Sequence, residues 1–137
     1  MYLVCGEALF DAFAQSEPND DLRLIARPGG SPFNVAIGLT RLGHRAALFT
    51  ALSTDVLGRR LHDLLAREGV CLDYLVDKPH RTTLALVALD TAGVPRYSFY
   101  GDGCADRELV PADLPALEDR IGGLHFGSYT LVIEPTA

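Results

Sequence analysis

Residues 27–43 read RPGGSPFNVAIGLTRLG, and this stretch holds the densest chemistry in the chain. Gly29 and Gly30 carry no Cβ and tolerate positive φ, so a ligand can lie against their backbone. Pro32 stiffens the loop and suits entry into a helix. Asn34 offers a carbonyl oxygen and an NH2 group, a pair that can bridge two adjacent hydroxyls. The free N–H groups at a helix start add further donors. Taken alone, the stretch reads first as a glycine turn capping a helix, and as a ligand loop second.

The other familiar constellations are missing from the sequence. There is no G-x-x-x-x-G-K-[ST] phosphate loop, and GEALFD after the first apolar run is not a G-x-G-x-x-G fingerprint. His44, His62, His80 and His125 are scattered without a partner at ligand spacing, so no metal site is expected. FGSYT lacks the second glycine of a nucleophile elbow.

The elements that must position the loop follow from periodicity. YLVCG reads as a buried strand ending at a turn. LRLIARPGG alternates Leu22, Leu24 and Ala26 against Arg23, Ile25 and Arg27, which predicts a strand with one partly exposed face. Phe33, Ala36, Ile37, Thr40 and Leu42 then take helical spacing, closed by Gly43. AALFTAL is a second buried strand. A helix is expected from about Asp55 to Glu68, with Val56, Leu57, Leu61, Leu64 and Leu65 on one face and Gly69 at its end. CLDYLVD, TTLALVALD and RYSFYG are three more strands, the last two joined through the hairpin loop TAGVP. DLPALEDRI is expected to form a short helix and GLHFGSYTLVI a final strand. Strands alternating with helices imply a parallel sheet, while 11–30 and 82–101 break that rhythm as inserted antiparallel strands. The sequence stops at EPTA, where a covering helix is expected, so the chain reads as cut.

Composition sets the remaining bounds. The 137 residues are enough for one domain with a core, and 48% hydrophobic with 22% charged residues is ordinary for a globular protein. A net charge of −6 with spread acids argues against nucleic-acid or anionic-membrane partners. No apolar run reaches membrane length, and the N-terminus lacks a basic region before its apolar run. Cys5, Cys71 and Cys104 form no C-x-x-C pair, and Cys5 is expected to be a small buried hydrophobe. A reduced, cytoplasmic protein is the expectation.

In order along the chain, these motifs resemble those of the PfkB-type, ribokinase-like carbohydrate kinases. G-G-S-P-x-N-x-A, then a helix, then L-G, is similar to the family's N-terminal signature. VCGEALFD resembles its first strand and the aspartate that follows, and STDVLGRRLHDLLAREGV its G-x-D-x-x-G segment and helix. YSFYGDGCAD is similar to its lid strand and the Ala-Asp turn after it, and LHFGSYTLVIEP to the strand ending its first half. The likeness covers essentially the whole chain.

That resemblance implies an α/β fold, the N-terminal part of a ribokinase-like domain with a parallel sheet and helices on both faces. The inserted strands, about 11–30 and 82–101, would form a small antiparallel β lid, with sugar bound between lid and body. It places Asp11 on the sugar hydroxyls, where an acceptor-only carboxylate suits a vicinal diol. It assigns Gly29, Gly30 and Asn34 to the sugar-contacting loop and sets Phe99 against the sugar, with lid packing as that ring's alternative role. Glu134 falls near the family's inter-domain cleft. Members that phosphorylate acidic sugars such as ketodeoxygluconate carry an arginine where this chain has Gly101. Ribokinase and phosphofructokinase branches carry a lysine where it has Ser31. Both point to a neutral sugar, and the fructokinase branch is the nearest match.

The family's G-A-G-D motif, with its catalytic aspartate and ATP site, has no counterpart here; GDGCAD belongs to the lid region. Residues 1–137 are thus expected to be a partial kinase domain lacking the C-terminal catalytic and ATP-binding half, with no catalytic residue of its own. In the full-length enzyme an aspartate beyond residue 137 would deprotonate a sugar hydroxyl for in-line attack on Mg-ATP. ATP and Mg are not expected to bind this portion well, and alone it is expected to be inactive. The alternative is a naturally short, non-catalytic module that binds sugar or dimerises. The resemblance also implies a homodimer through the lid sheet.

Overall fold

Short apolar runs with β-branched and small residues build the centre of the chain. The structure, a computed structural model, describes every residue except 17, 18, 20, 90, 91, 128 and 137. Strands β1 (Tyr2–Cys5), β4 (Ala46–Ser53), β5 (Leu75–Lys78) and β8 (Gly123–Phe126) form a parallel sheet in the order β5-β4-β1-β8. Strands β2 (Leu9–Ser16), β3 (Leu22–Gly29), β6 (Leu84–Leu89) and β7 (Pro95–Tyr100) form a second sheet in the order β3-β2-β6-β7. The β2–β3 and β6–β7 pairs are antiparallel and the central β2–β6 pair is parallel, so the lid is mixed where an antiparallel sheet was expected. The connection from β3 to β6 runs through the body, which delivers β6 to the lid in the same direction as β2.

Helix α1 (Ser31–Arg41) and helix α2 (Val56–Arg67) both pack on one face of the parallel sheet. Val4, Leu48 and Leu52 meet Phe33, Ala36 and Ile37 from α1 and Leu61 and Leu65 from α2. Each of the Val, Leu, Ile and Phe side chains, fully withdrawn from water, contributes about 1.5–3 kcal/mol. Leu42 and Val56 fall off the predicted apolar faces and are exposed, because each sits at the helix boundary where the periodic stripe has ended. In this chain the helices expected on both faces lie on one. On the other, Leu3, Ala47, Phe49 and Tyr74 are met by Leu109 and Ile121 from the irregular segment after the lid. An open apolar cavity of about 530 Å³ remains there, bordered by Leu3, Phe49, Leu109, Leu117, Leu124 and Phe126.

Several predicted elements are corrected. DLPALEDRI forms no α-helix: a single 3-10 turn at Pro111–Asp113 ends at Leu114, whose φ of −61° and ψ of 125° are extended. Pro115 follows, and a residue before proline is driven out of the helical region. The last strand stops at Phe126 and gives way to a 3-10 turn at Tyr129–Leu131. Within CLDYLVD only Leu75 onward is strand, with Cys71 making an isolated bridge to Ala47. Strand β3 is exposed on both faces from Leu22 to Pro28, because its outer neighbour and both its covers are absent among the described residues. The loop TAGVP lies partly outside the described residues.

Candidate functional site

The predicted ligand loop sits where the two sheets join. Gly29 ends β3, Gly30 caps α1 at φ 104°, and Asn34 lies exposed in the helix's first turn, its N–H donating to Gly30 O at 3.0 Å. The positive φ at Gly30 is one that side-chain-bearing residues rarely adopt, and its missing Cβ lets the loop rest on the Glu7 carbonyl. Asp11 on β2 pairs across the ladder with Arg27, and its carboxylate folds over Gly29, where any Cβ would overlap Oδ2. Burial raises the Asp11 carboxyl above its ordinary value. Four of the predicted residues (Asp11, Gly29, Gly30 and Asn34) therefore share one junction.

Phe99 stands apart along a single row of the lid. Register runs Arg27–Asp11–Ala85–Phe99 across β3, β2, β6 and β7, so Asp11 and Phe99 point from the same face. Two strand spacings separate them, about 10 Å. The Phe99 ring stacks on Tyr97 at 6.2 Å and on Tyr129 at 4.9 Å, so a lid aromatic rests on the segment that follows β8. Glu134 is exposed; its carbonyl accepts from Arg107 Nη2 at 2.7 Å, and among the described residues no hydrogen bond joins it to the Asp11 junction. An acceptor carboxylate and an aromatic face on one side of a sheet, with an exposed amide at the adjoining helix start, are groups that can hold a small polyhydroxylated molecule.

Three acids with no expected ligand role tie the surrounding elements together. Glu7 is 3% exposed, accepts the Ser31 N–H on Oε1 at 3.2 Å and the Thr130 hydroxyl on Oε2 at 3.4 Å. Asp55 caps α2, taking the N–H groups of Leu57 and Gly58 at 2.9 and 2.8 Å, and also takes the Thr82 N–H and hydroxyl just before β6. Burial opposes ionisation of Asp55, but hydrogen bonds from Gly58, Thr82 and Ser53 prevail and hold its carboxyl below the usual range. Asp106, 2% exposed, accepts the Thr83 hydroxyl on Oδ1, while Oδ2 has no partner among the described residues. Burial, aided by repulsion from Glu7, pushes its carboxyl up to about 6, against the pull of Thr83 and Arg107. The sequence signal for Glu7 was only an acid beside a strand end, and for Asp55 its place at the expected start of a helix.

Among the described residues, no three His, Cys, Asp or Glu groups gather as a metal site. Cys5 is half-buried, its thiol pushed up to about 11 by burial, and Cys104 is buried. No helix among the described residues is long and apolar enough to cross a membrane.

Comparison with known proteins agrees with this architecture. The family model described as pfkB family carbohydrate kinase matches residues 2–121. A fructokinase of Rhizobium leguminosarum bv. trifolii is 37% identical over 135 residues, which is 98% of this chain and 41% of that protein. Fructokinase with bound ATP from Xylella fastidiosa superposes with a TM-score of 0.75 at 36% identity, over 83% of this chain and 34% of that one. Fructokinase from Vibrio cholerae O395 in its fructose, ADP and calcium ion bound form gives a TM-score of 0.78 at 29% identity, over 98% and 42%. The chain thus spans about two-fifths of the length of the relatives it matches.

Proposed function

The chain belongs to the pfkB family of carbohydrate kinases, and on that premise we propose that it is the sugar-binding, N-terminal portion of an ATP-dependent kinase that phosphorylates fructose. The observation that carries this reading is the Asp11 carboxylate packed on Gly29 and facing the same side of the lid as Phe99. Asp11 accepts hydrogen bonds from neighbouring sugar hydroxyls, Asn34 donates and accepts beside it, and Phe99 offers an apolar face to the ring's C–H groups. Gly101, where a guanidinium would recognise a sugar acid, favours a neutral sugar. No residue of this chain is assigned to ATP, Mg or proton abstraction; this reading places those functions in the part of the full-length enzyme that the chain does not span.

The test is fructose binding by equilibrium dialysis, with Asp11→Ala and Asn34→Ala, alongside sugar-dependent ADP production. Each substitution is expected to weaken fructose binding by about 0.5–3 kcal/mol, the worth of hydrogen bonds to neutral or charged partners. Ketodeoxygluconate is expected to bind more weakly than fructose, and the 137-residue chain alone to release no ADP. Undiminished fructose binding in both variants would refute the assignment of the loop.

A further inference from the structure

Helix α1 begins on a glycine that has no side chain to offer its first N–H groups, and no acid occupies its first turn. A carboxylate from another element does that work. Glu7, in the turn between β1 and β2, reaches the Ser31 N–H from below, while its second oxygen takes the Thr130 hydroxyl from the segment after β8. The backbone of the same residue supports Gly30, whose ideal Cβ would lie 2.7 Å from Glu7 O. Pro32, buried directly after Ser31, wedges between Gly6 and Gly127 at the carboxyl ends of β1 and β8.

A carboxylate at 3% exposure that accepts two hydrogen bonds from the described residues, near a second buried acid, is an expensive way to fill this volume. An apolar residue would pack there at less cost in solvation. What it could not do is hold the start of the glycine loop at a set distance from both the β1–β2 turn and the segment carrying Thr130 and Tyr129. We propose that Glu7 is a positioning residue for sugar binding: it fixes Gly29–Ser31 against Asp11 and couples that loop to the segment on which Phe99 rests. It touches no sugar itself. The inference rests on the sugar-kinase reading, and it predicts that reach, more than charge, is what matters at this position.

Glu7→Asp withdraws the carboxylate by one methylene and keeps the charge; Glu7→Gln keeps the reach and an acceptor oxygen and removes the charge. Three measurements separate the outcomes: hydrogen exchange of a peptic peptide covering Gly29–Asn34 without sugar, the fructose dissociation constant by equilibrium dialysis, and the melting temperature. Glu7→Asp is expected to speed exchange in that peptide and weaken fructose about tenfold, the worth of one hydrogen bond to a charged group. Glu7→Gln is expected to recover most of both. Wild-type exchange and wild-type affinity in Glu7→Asp would overturn the proposal, as would equal losses in the two variants tracking their melting temperatures. Should Glu7→Asp fail to fold, Thr130→Val removes the second hold and is expected to loosen the same peptide; unchanged exchange there refutes the coupling. If the wild-type chain takes up no fructose, the sugar reading fails, and the exchange measurement alone decides whether Glu7 positions the loop.

Discussion

Replacing Asp106 with asparagine tests the electrostatics of the lid hinge. Asp106 joins the 3-10 turn after β7 to Thr83 just before β6, and it is buried with one oxygen unpartnered among the described residues. Its carboxyl rises from an ordinary 3.8 to about 6, chiefly through burial. At about 1.4 kcal/mol for each tenfold change in proton affinity, that rise is worth about 3 kcal/mol. The sign follows from proton uptake. Between the two values the folded chain binds the proton and the unfolded chain does not, so stability is full below pH 3.8 and falls as pH rises through about 6. Asparagine keeps an acceptor for Thr83 and carries no charge, though its NH2 meets no partner, which costs about 1 kcal/mol. The variant is therefore expected to be slightly less stable than wild type near pH 4 and about 1–2 kcal/mol more stable near pH 7. Urea melts of both proteins from pH 4 to 8 give the difference curve, in which the contributions of Asp55 and the other acids cancel. A curve flat to within about 0.5 kcal/mol would show that Asp106 ionises freely and that the hinge is not dry.

Three further outcomes are expected. Gly127→Ala would drive a methyl into Pro32 beneath the glycine loop, so it is expected to destabilise by about 1–3 kcal/mol in urea melts, with fructose binding reduced alongside. Asp55→Ala removes the α2 cap and both hydrogen bonds to Thr82, a loss of about 2–3 kcal/mol that is present above pH 3.8 and vanishes as pH falls below it; equal melts at pH 7 would refute the cap. Phe13, Leu24, Ile25, Tyr97, Phe99 and Tyr100 are exposed on the lid sheet, so sedimentation at micromolar concentration is expected to show a dimer or larger species, and a monodisperse monomer would contradict that expectation.

What the sequence determined by itself was local. Helices α1 and α2 were legible to within two residues at either end, because apolar spacing and stop glycines at 43 and 69 act within a few residues of the bonds they govern. The glycine turn ahead of α1 was legible for the same reason, since a glycine's freedom is a property of its own backbone. The helix expected at DLPALEDRI failed on an equally local rule, the proline at 115, which the apolar spacing had masked. Tertiary structure decided the rest. Asp11 and Phe99 share a face only because β2 pairs parallel with β6, a register no nearby residue specifies. Glu7 finds its partners 24 and 123 positions away, and Asp106 loses its solvent only when β6 and the turn after β7 close over it. Burial of a charge is set by everything packed around it. An isolated acid in a sequence therefore looks the same whether it ends in water or organises a site.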